Sequence, residues 1–342
     1  HGVLGGVQAG YLDHVWKGDA IFTQEQKAWA ADLNYHVPVE LEFLISEAPL
    51  KMGDGVAETT LTVKWHMPPK TEGGEAPKPR TCSWPARFVN ENGRWLYAGE
   101  RWIAAEGPGV LVLHPARYEV AAKSVADVMP EVAPHVQSLF GFEPGSPFAT
   151  RVQQVKIYPS MKHLQASIYL SYTDGLGGWN EPGEAIKIIC GRSAPPGHFR
   201  GLLAHEYGHN ATFELGPNSS KVAWWALEGV AELAGEKYSA GSRDRVKKAV
   251  REWARKDNLI EWPRLADFRG EAVQHYGQVY TQGHHMIVYI TERFGDEPRT
   301  RWLALMANGE PIESAATQAL GVPFSQIDAE WRADLKAQVE AL

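Results

Sequence analysis

The chain has 342 residues, with 34 Lys and Arg against 41 Asp and Glu for a net charge of −7, 44% hydrophobic residues and two cysteines. This length exceeds the roughly 150 residues of an average domain and predicts two units with separate cores. The acidic balance argues against nucleic-acid or anionic-membrane partners, and no apolar run approaches the ~18 residues of a membrane span. Cys82 and Cys190 are too few for a disulfide framework or a cysteine metal cluster, and read as two buried thiols.

Residues 15–33 carry apolar side chains at helical spacing, predicting one or two amphipathic helices. Segments 37–50, 58–67, 81–90 and 93–103 alternate apolar and polar residues and read as strands. Asn90-Glu91-Asn92-Gly93 joins the last two as a hairpin turn, because Asn and Gly tolerate positive φ. Pro68 to Arg80, with four prolines and two glycines, is a solvated loop. Residues 1–104 thus form a small α+β unit, a helix on a curled antiparallel sheet. Gly107-Pro108-Gly109 breaks the pattern, and the boundary lies near residue 105. From there to residue 342 the sequence predicts a strand from 109, a helix over 117–140, and strands at 152–158, 166–172 and 184–190. Helices follow at 198–214, 223–238, 242–256, 275–294, 297–307, 311–319 and 324–340. The fold class is α+β, and the sequence shows no internal repeat.

The chemistry concentrates in His205-Glu206-x-x-His209. Two histidines at i and i+4 on a helix lie about 40° and about 6 Å apart, so both rings can face one metal ion. Glu206, about 100° round from His205, stands beside such an ion, where a carboxylate can take a proton from an attacking water. Gly208 within the motif lets another element pack closely. A helix with two satisfied histidines and an exposed Glu is the bland alternative. After a break at Gly216-Pro217-Asn218, a second helix carries Glu228, with eighteen residues between it and His209. If antiparallel, that helix returns the carboxylate to the two histidines and leaves a fourth position open, the pattern of a catalytic zinc site. Harder cations want more oxygen ligands, so a single Zn²⁺ is the favoured ion. Glu232, one turn on, is placed to accept the other ring N–H of a ligand histidine, or to sit in solvent.

The pair HEYGH and WWALEGVAE resembles the gluzincin metallopeptidases, whose third ligand is a Glu in a W-x-x-E-G-x-A setting. Residues from about 110 to 340 resemble the peptidase MA-like families of bacterial envelope proteins. The pieces that carry this are KIYPS at 156–160, Gly178-Trp179 before a strand, Tyr280-Thr-Gln-Gly, YITERFG at 289–295 and a C-terminal segment through Trp331. The first 105 residues are similar to cone-shaped domains of the nuclear-transport-factor-2 type. The resemblance implies a thermolysin-like mixed-sheet and mainly helical catalytic unit, a zinc-dependent peptidase acting on a peptide or protein, and zinc held by His205, His209 and Glu228, with Glu206 as base. It also implies a Tyr or His several dozen residues after the third ligand as oxyanion donor. Tyr280 aligns best with the family's Y-x-Q-G, and Tyr276 and His284 share its helix face as alternatives, with His285 close by. The strand at 184–190 is expected to be the edge beside which substrate runs. The acidic strand motif of the related aminopeptidases is not found, which favours an endopeptidase or a narrowly specific enzyme. Hydrolysis of a non-peptide amide or ester, and a catalytically silent binding protein that keeps the metal site, are the rival readings. The start at His1 without Met, together with the family, implies a secreted or cell-envelope protein. A copper site built on His1 would need partners that the sequence does not point to.

Seven scattered histidines (His14, His36, His66, His114, His135, His163 and His198) lack ligand spacing and read as structural. The thirteen tryptophans read mainly as core, and Lys247, Lys248, Arg251 and Arg255 as a solvated helix edge.

Overall fold

The computed structural model describes residues 8–47, 51–69, 74–172 and 175–341. His1, residues 48–50 of the first predicted strand segment and 70–73 of the proline-rich loop lie outside the described residues.

The chain opens with α1 (Gln8–Leu12) and α2 (Ala20–Tyr35). Asp19 starts α2 by accepting a hydrogen bond from the Phe22 amide, which satisfies one of the free N–H groups at the helix terminus. The buried stripe Phe22, Glu25, Trp29 and Leu33 follows helical spacing and faces an antiparallel sheet. Its strands are β1 (Glu40–Ile45), β2 (Lys51–Gly53), β3 (Val56–His66), β4 (Arg80–Glu91) and β5 (Arg94–Glu100), in the order β1-β3-β4-β5 with β2 on β3. Strand β3 buries Thr59, Leu61, Val63 and Trp65, every second residue, as a half-buried strand must. The β4–β5 hairpin turns through Asn92 (φ 52°) and Gly93 (φ 81°), as the Asn-Gly signal predicts.

The predicted strand 93–103 divides in two. Gly99 takes φ 90°, and a Cβ there would lie 2.9 Å from the Phe22 ring. The chain turns at this point, so β5 stops at Glu100 while β6 (Ile103–Gly107) enters a second sheet. That sheet contains β6, β7 (Val110–His114), β8 (Gln153–Tyr158), β10 (Ile186–Ile189) and β9 (Gly178–Trp179), in that spatial order. β7, β8 and β10 run parallel, with antiparallel β6 and β9 at the two sides. One curled antiparallel sheet, one mixed sheet and a helical second half make the protein α+β.

Two expectations are corrected here. Residues 166–172 are not a strand. They contain the end of α5 (Met161–Ser167) and a turn, because Ser160 caps the helix through the His163 amide and its apolar residues face two ways. Leu164 and Ile168 pack with Tyr158, while Ala166 and Leu170 join the core under the first sheet. A short apolar run fits either period, and the cap decides it. The strand at 184–190 exists, as Ile186–Ile189, but it is interior. Among the described residues the edge on that side is β9.

Helix α3 (Glu119–Leu139) covers the mixed sheet with Ala121, Ala122, Val125, Met129, Val132 and Val136. The second half contains α6 (Pro196–Phe213), α7 (Trp224–Glu236), α8 (Ser242–Arg255), α9 (Tyr276–Phe294), α10 (Asp296–Ala307), α11 (Ile312–Leu320) and α12 (Phe324–Glu340). All lie where apolar periodicity predicts them, within two or three residues at their ends. Gly208 of α6 packs on Ala231 of α7, where an added Cβ would stand 3.2 Å from the Ala231 Cα. Gly229 of α7 meets Gly283 of α9 even more closely, with 2.7 Å from an added Cβ to the Gly283 carbonyl carbon. Small residues at both crossings let α7 lie between its neighbours at backbone contact.

Candidate metal centre

Helix α6 presents His205 and His209 one turn apart, and α7 returns Glu228 against them. The Nε2 atoms of the two histidines are 3.2 Å apart, and each is 3.3 Å from Glu228 Oε2. Tetrahedral coordination at about 2.0–2.1 Å places ligand atoms about 3.3 Å from one another. The triangle of donor atoms therefore has the edge lengths of one face of a zinc tetrahedron.

The donor set fits the ion in a second way. Glu228 Oε2 is buried with no hydrogen-bond partner, an arrangement that costs free energy unless a positive group satisfies it. The other oxygen, Oε1, accepts a hydrogen bond from Trp224 Nε1 at 2.8 Å, which aims Oε2 at the histidines. On the far side of His205, Nδ1 lies 3.2 Å from Glu232 Oε1. That contact places a ring proton on Nδ1 and turns Nε2 towards Glu228. Burial works against charge on His205, yet Glu228 and Glu232 hold its pKa well above the ordinary value. Burial would raise the Glu228 carboxyl, and the two histidines nevertheless hold it well below the carboxylate range. The pocket thus calls for positive charge at its centre.

Glu206 is 4% exposed and is pushed above its ordinary pKa by burial, with Glu228 and Glu232 adding to the rise and His205 and His209 opposing it. Its carboxylate lies against Gly178 of β9, in the space that any Cβ at 178 would take. Asn180, just past β9, donates from Nδ2 to the Glu206 carbonyl oxygen at 2.9 Å. The edge strand and Glu206 are thereby fastened together. Ile189 N–H bonds the Gly177 carbonyl, and Trp179 pairs with Lys187. Alternation along an antiparallel strand then turns the N–H and C=O of Gly178 outwards, away from β10.

Tyr276 and Tyr280 of α9 line the same cleft. Tyr280 stacks on His205 with ring centroids 6.1 Å apart and planes at 10°, and against Tyr276 at 4.6 Å. Burial keeps its hydroxyl far above the ordinary phenol range, so it remains a donor. His284 does not join them. It is buried one turn further on, with Nε2 2.8 Å from Glu236 Oε2, and does not line the cleft. His285 likewise faces α12, accepting from Trp331 Nε1 at 2.9 Å. The sequence did not single out Gly178 and Asn180 for these roles, nor the aromatic wall of Tyr172, Trp179, Trp224 and Phe268 that narrows the cleft to about 120 Å³. For Trp224 the signal was its i, i+4 spacing to Glu228.

No family model and no curated protein matches the chain. Among solved structures, a conserved protein of unknown function from Bacillus anthracis str. Ames is similar over 80% of this chain at 11% identity with a TM-score of 0.36, and the chain spans 64% of that protein's length.

Proposed function

We propose that the chain is a zinc-dependent peptidase. The observation that carries this reading is the 3.2–3.3 Å triangle of His205, His209 and Glu228 donor atoms, with the buried Glu228 Oε2 otherwise unpartnered and Glu206 beside it. When bound there, zinc supplies a Lewis acid that polarises a carbonyl and brings the pKa of water to about 7.

The chain's own groups account for the rest of a hydrolytic cycle. Glu206, raised in pKa by burial, takes the proton of the attacking water at its carboxylate and delivers it to the leaving nitrogen. Tyr280, kept neutral, donates its O–H to the oxygen on which negative charge develops. The outward N–H and C=O of Gly178 offer a substrate backbone two hydrogen bonds in strand geometry, which supports a peptide over other acyl substrates. Trp179, Phe268 and Tyr172 crowd the cleft and favour a narrow range of side chains.

Cleavage of a diverse peptide mixture, read by mass spectrometry with zinc content measured alongside, tests the reading. Wild type is expected to cut. Glu206→Gln is expected to keep zinc while turnover falls by about 10²–10⁴-fold, the usual weight of general acid–base catalysis. Chelation silences wild type and added zinc restores it. Cutting by Glu206→Gln at the wild-type rate, or zinc retained by His205→Ala at wild-type affinity, overturns the assignment.

A further inference from the structure

A second cavity shares no lining residue with the cleft of the metal triad. It measures about 460 Å³ and lies inside the curl of the first sheet, under α1 and α2. Its wall is aromatic: Phe22, Trp29, Trp84, Phe88, Tyr97 and Trp102 contribute, with Leu61 and Val63 between them. The floor belongs to the second unit, through Tyr158 of β8 and Ala166 and Ser167 of α5, so the cavity is complete only when the two units pack together. Phe43, Ile45 and Trp95, which also line it, are 40%, 56% and 42% exposed, and they mark the mouth.

The polar groups inside define what can enter. Lys156 is committed to Glu25 at 2.5 Å. Glu100 faces His163 Nε2 at 2.9 Å and accepts from Ser167 Oγ at 3.2 Å. Tyr11 donates to Gln26 Oε1. Lys156 and Glu25 neutralise one another and both Glu100 oxygens already have partners, so an ion of either sign would meet only engaged groups and lose its hydration. Tyr97 differs. Its oxygen accepts from Trp84 Nε1 at 3.3 Å, and its own O–H has no acceptor among the described residues. A cavity of this size with an apolar wall and one free donor has the make-up of a small-molecule site.

We propose that the N-terminal unit binds an uncharged, largely apolar small molecule carrying one oxygen acceptor, an alcohol or a carbonyl, hydrogen-bonded by Tyr97 within the curled sheet. The site is independent of the metal centre.

The test uses the full chain and the neutral fluorophore N-phenyl-1-naphthylamine, followed by competition with 1-decanol, decanoate and decyltrimethylammonium. Saturable binding of one probe per chain is expected, with decanol displacing it at concentrations about tenfold below those of either ion, because only the ions must be desolvated unpaired. Val63→Trp fills the wall and is expected to weaken probe binding by about tenfold or more. Trp95→Ala, at the exposed mouth, is expected to weaken it by about fivefold without touching the core. Glu206→Gln is expected to bind the probe as wild type does, so failure here and failure of the peptidase reading are told apart. Absence of saturable binding, equal displacement by decanoate or decyltrimethylammonium, one probe per two chains, or unchanged binding in both Val63→Trp and Trp95→Ala each overturns the proposal.

Discussion

Trp224 does for Glu228 what Glu232 does for His205: it occupies the atom that does not face the centre and so orients the one that does. Its Nε1 holds Glu228 Oε1, while its ring meets Phe268, Tyr276 and Tyr280 edge-on. Trp224→Phe keeps much of the ring packing and removes the donor. Zinc affinity is expected to fall by about 10–100-fold, as with other partners of metal ligands, with a stability loss near 1 kcal/mol. Competition with a fluorescent zinc chelator reads the first and urea unfolding of the chelated protein the second. An unchanged affinity would show that the indole N–H does not orient the ligand. At this scale the sequence was legible where spacing alone carries geometry: His205 and His209, four apart on α6, bring their Nε2 atoms to 3.2 Å, and Glu232, one turn after Glu228, reaches His205 Nδ1. Trp225, the tryptophan three residues before Glu228, packs on Trp262 and Phe324 in the core, while Trp224 contacts Glu228. Asn180 was not legible, because it reaches Glu206 through strand pairing and no local period connects them. His284 shares a face with Tyr280, yet Glu236 one turn along α7 captures it.

The relative placement of whole helices matters as much as any side chain, since the three candidate ligands sit on α6 and α7 and the tyrosines on α9. The crossing of α7 and α9 at Gly229 and Gly283 fixes the distance from Glu228 to Tyr280. Gly229→Ala puts a methyl group 2.7 Å from the Gly283 carbonyl carbon, and neither backbone can yield as a side chain would. Destabilisation of about 1–3 kcal/mol is expected from overpacking, together with a fall in kcat/KM from the displaced ligand helix. Gly197→Ala near the start of α6, where nothing lies within 4 Å of an added Cβ, is the control and is expected to be neutral or slightly stabilising by about 0.5 kcal/mol. Thermal unfolding and peptide turnover on both variants check the pair, and equal effects would remove the crossing from the account. The long helices were legible because each buries one continuous stripe. Residues 166–172 were misread because their apolar positions serve two cores at once, which blurs the period. The 93–103 strand was read as one because its break is made by backbone conformation at Gly99, which alternation does not record.

The two units are held by buried charge as well as apolar packing. Glu25 of α2 meets Lys156 of β8 at 2.5 Å and Lys187 of β10 at 3.3 Å, and Lys187 also pairs with Glu184. Trp29 Nε1 donates to the Ala166 carbonyl and Ser171 Oγ to Asp32, so α2 is tied to the second unit along its length. None of this was legible, since a charged residue in a helical pattern reads as solvated until its partners arrive from strands more than 120 residues away. Burial would raise the Glu25 carboxyl, but Lys156 and Lys187 bring it below its ordinary value. A carboxylate lowered in the folded state contributes stability that is present above its unfolded pKa of about 4.3 and is lost as pH falls through the folded value. Lys187 has the opposite sign. Burial opposes its charge, Glu184 and Glu25 raise its pKa, and its contribution holds below the ordinary lysine range and fades in strong alkali. Glu25→Gln leaves Lys156 and Lys187 short of a counter-charge at the joint and is expected to cost about 3–5 kcal/mol at pH 7. The gap to wild type should narrow as pH falls below about 4.3 and on through the lower folded value, where the wild-type carboxyl takes up its proton too. Urea unfolding of both proteins between pH 7 and pH 3 measures that gap. A gap that stays constant with pH would mean that Glu25 holds the two units together through its shape and not its charge.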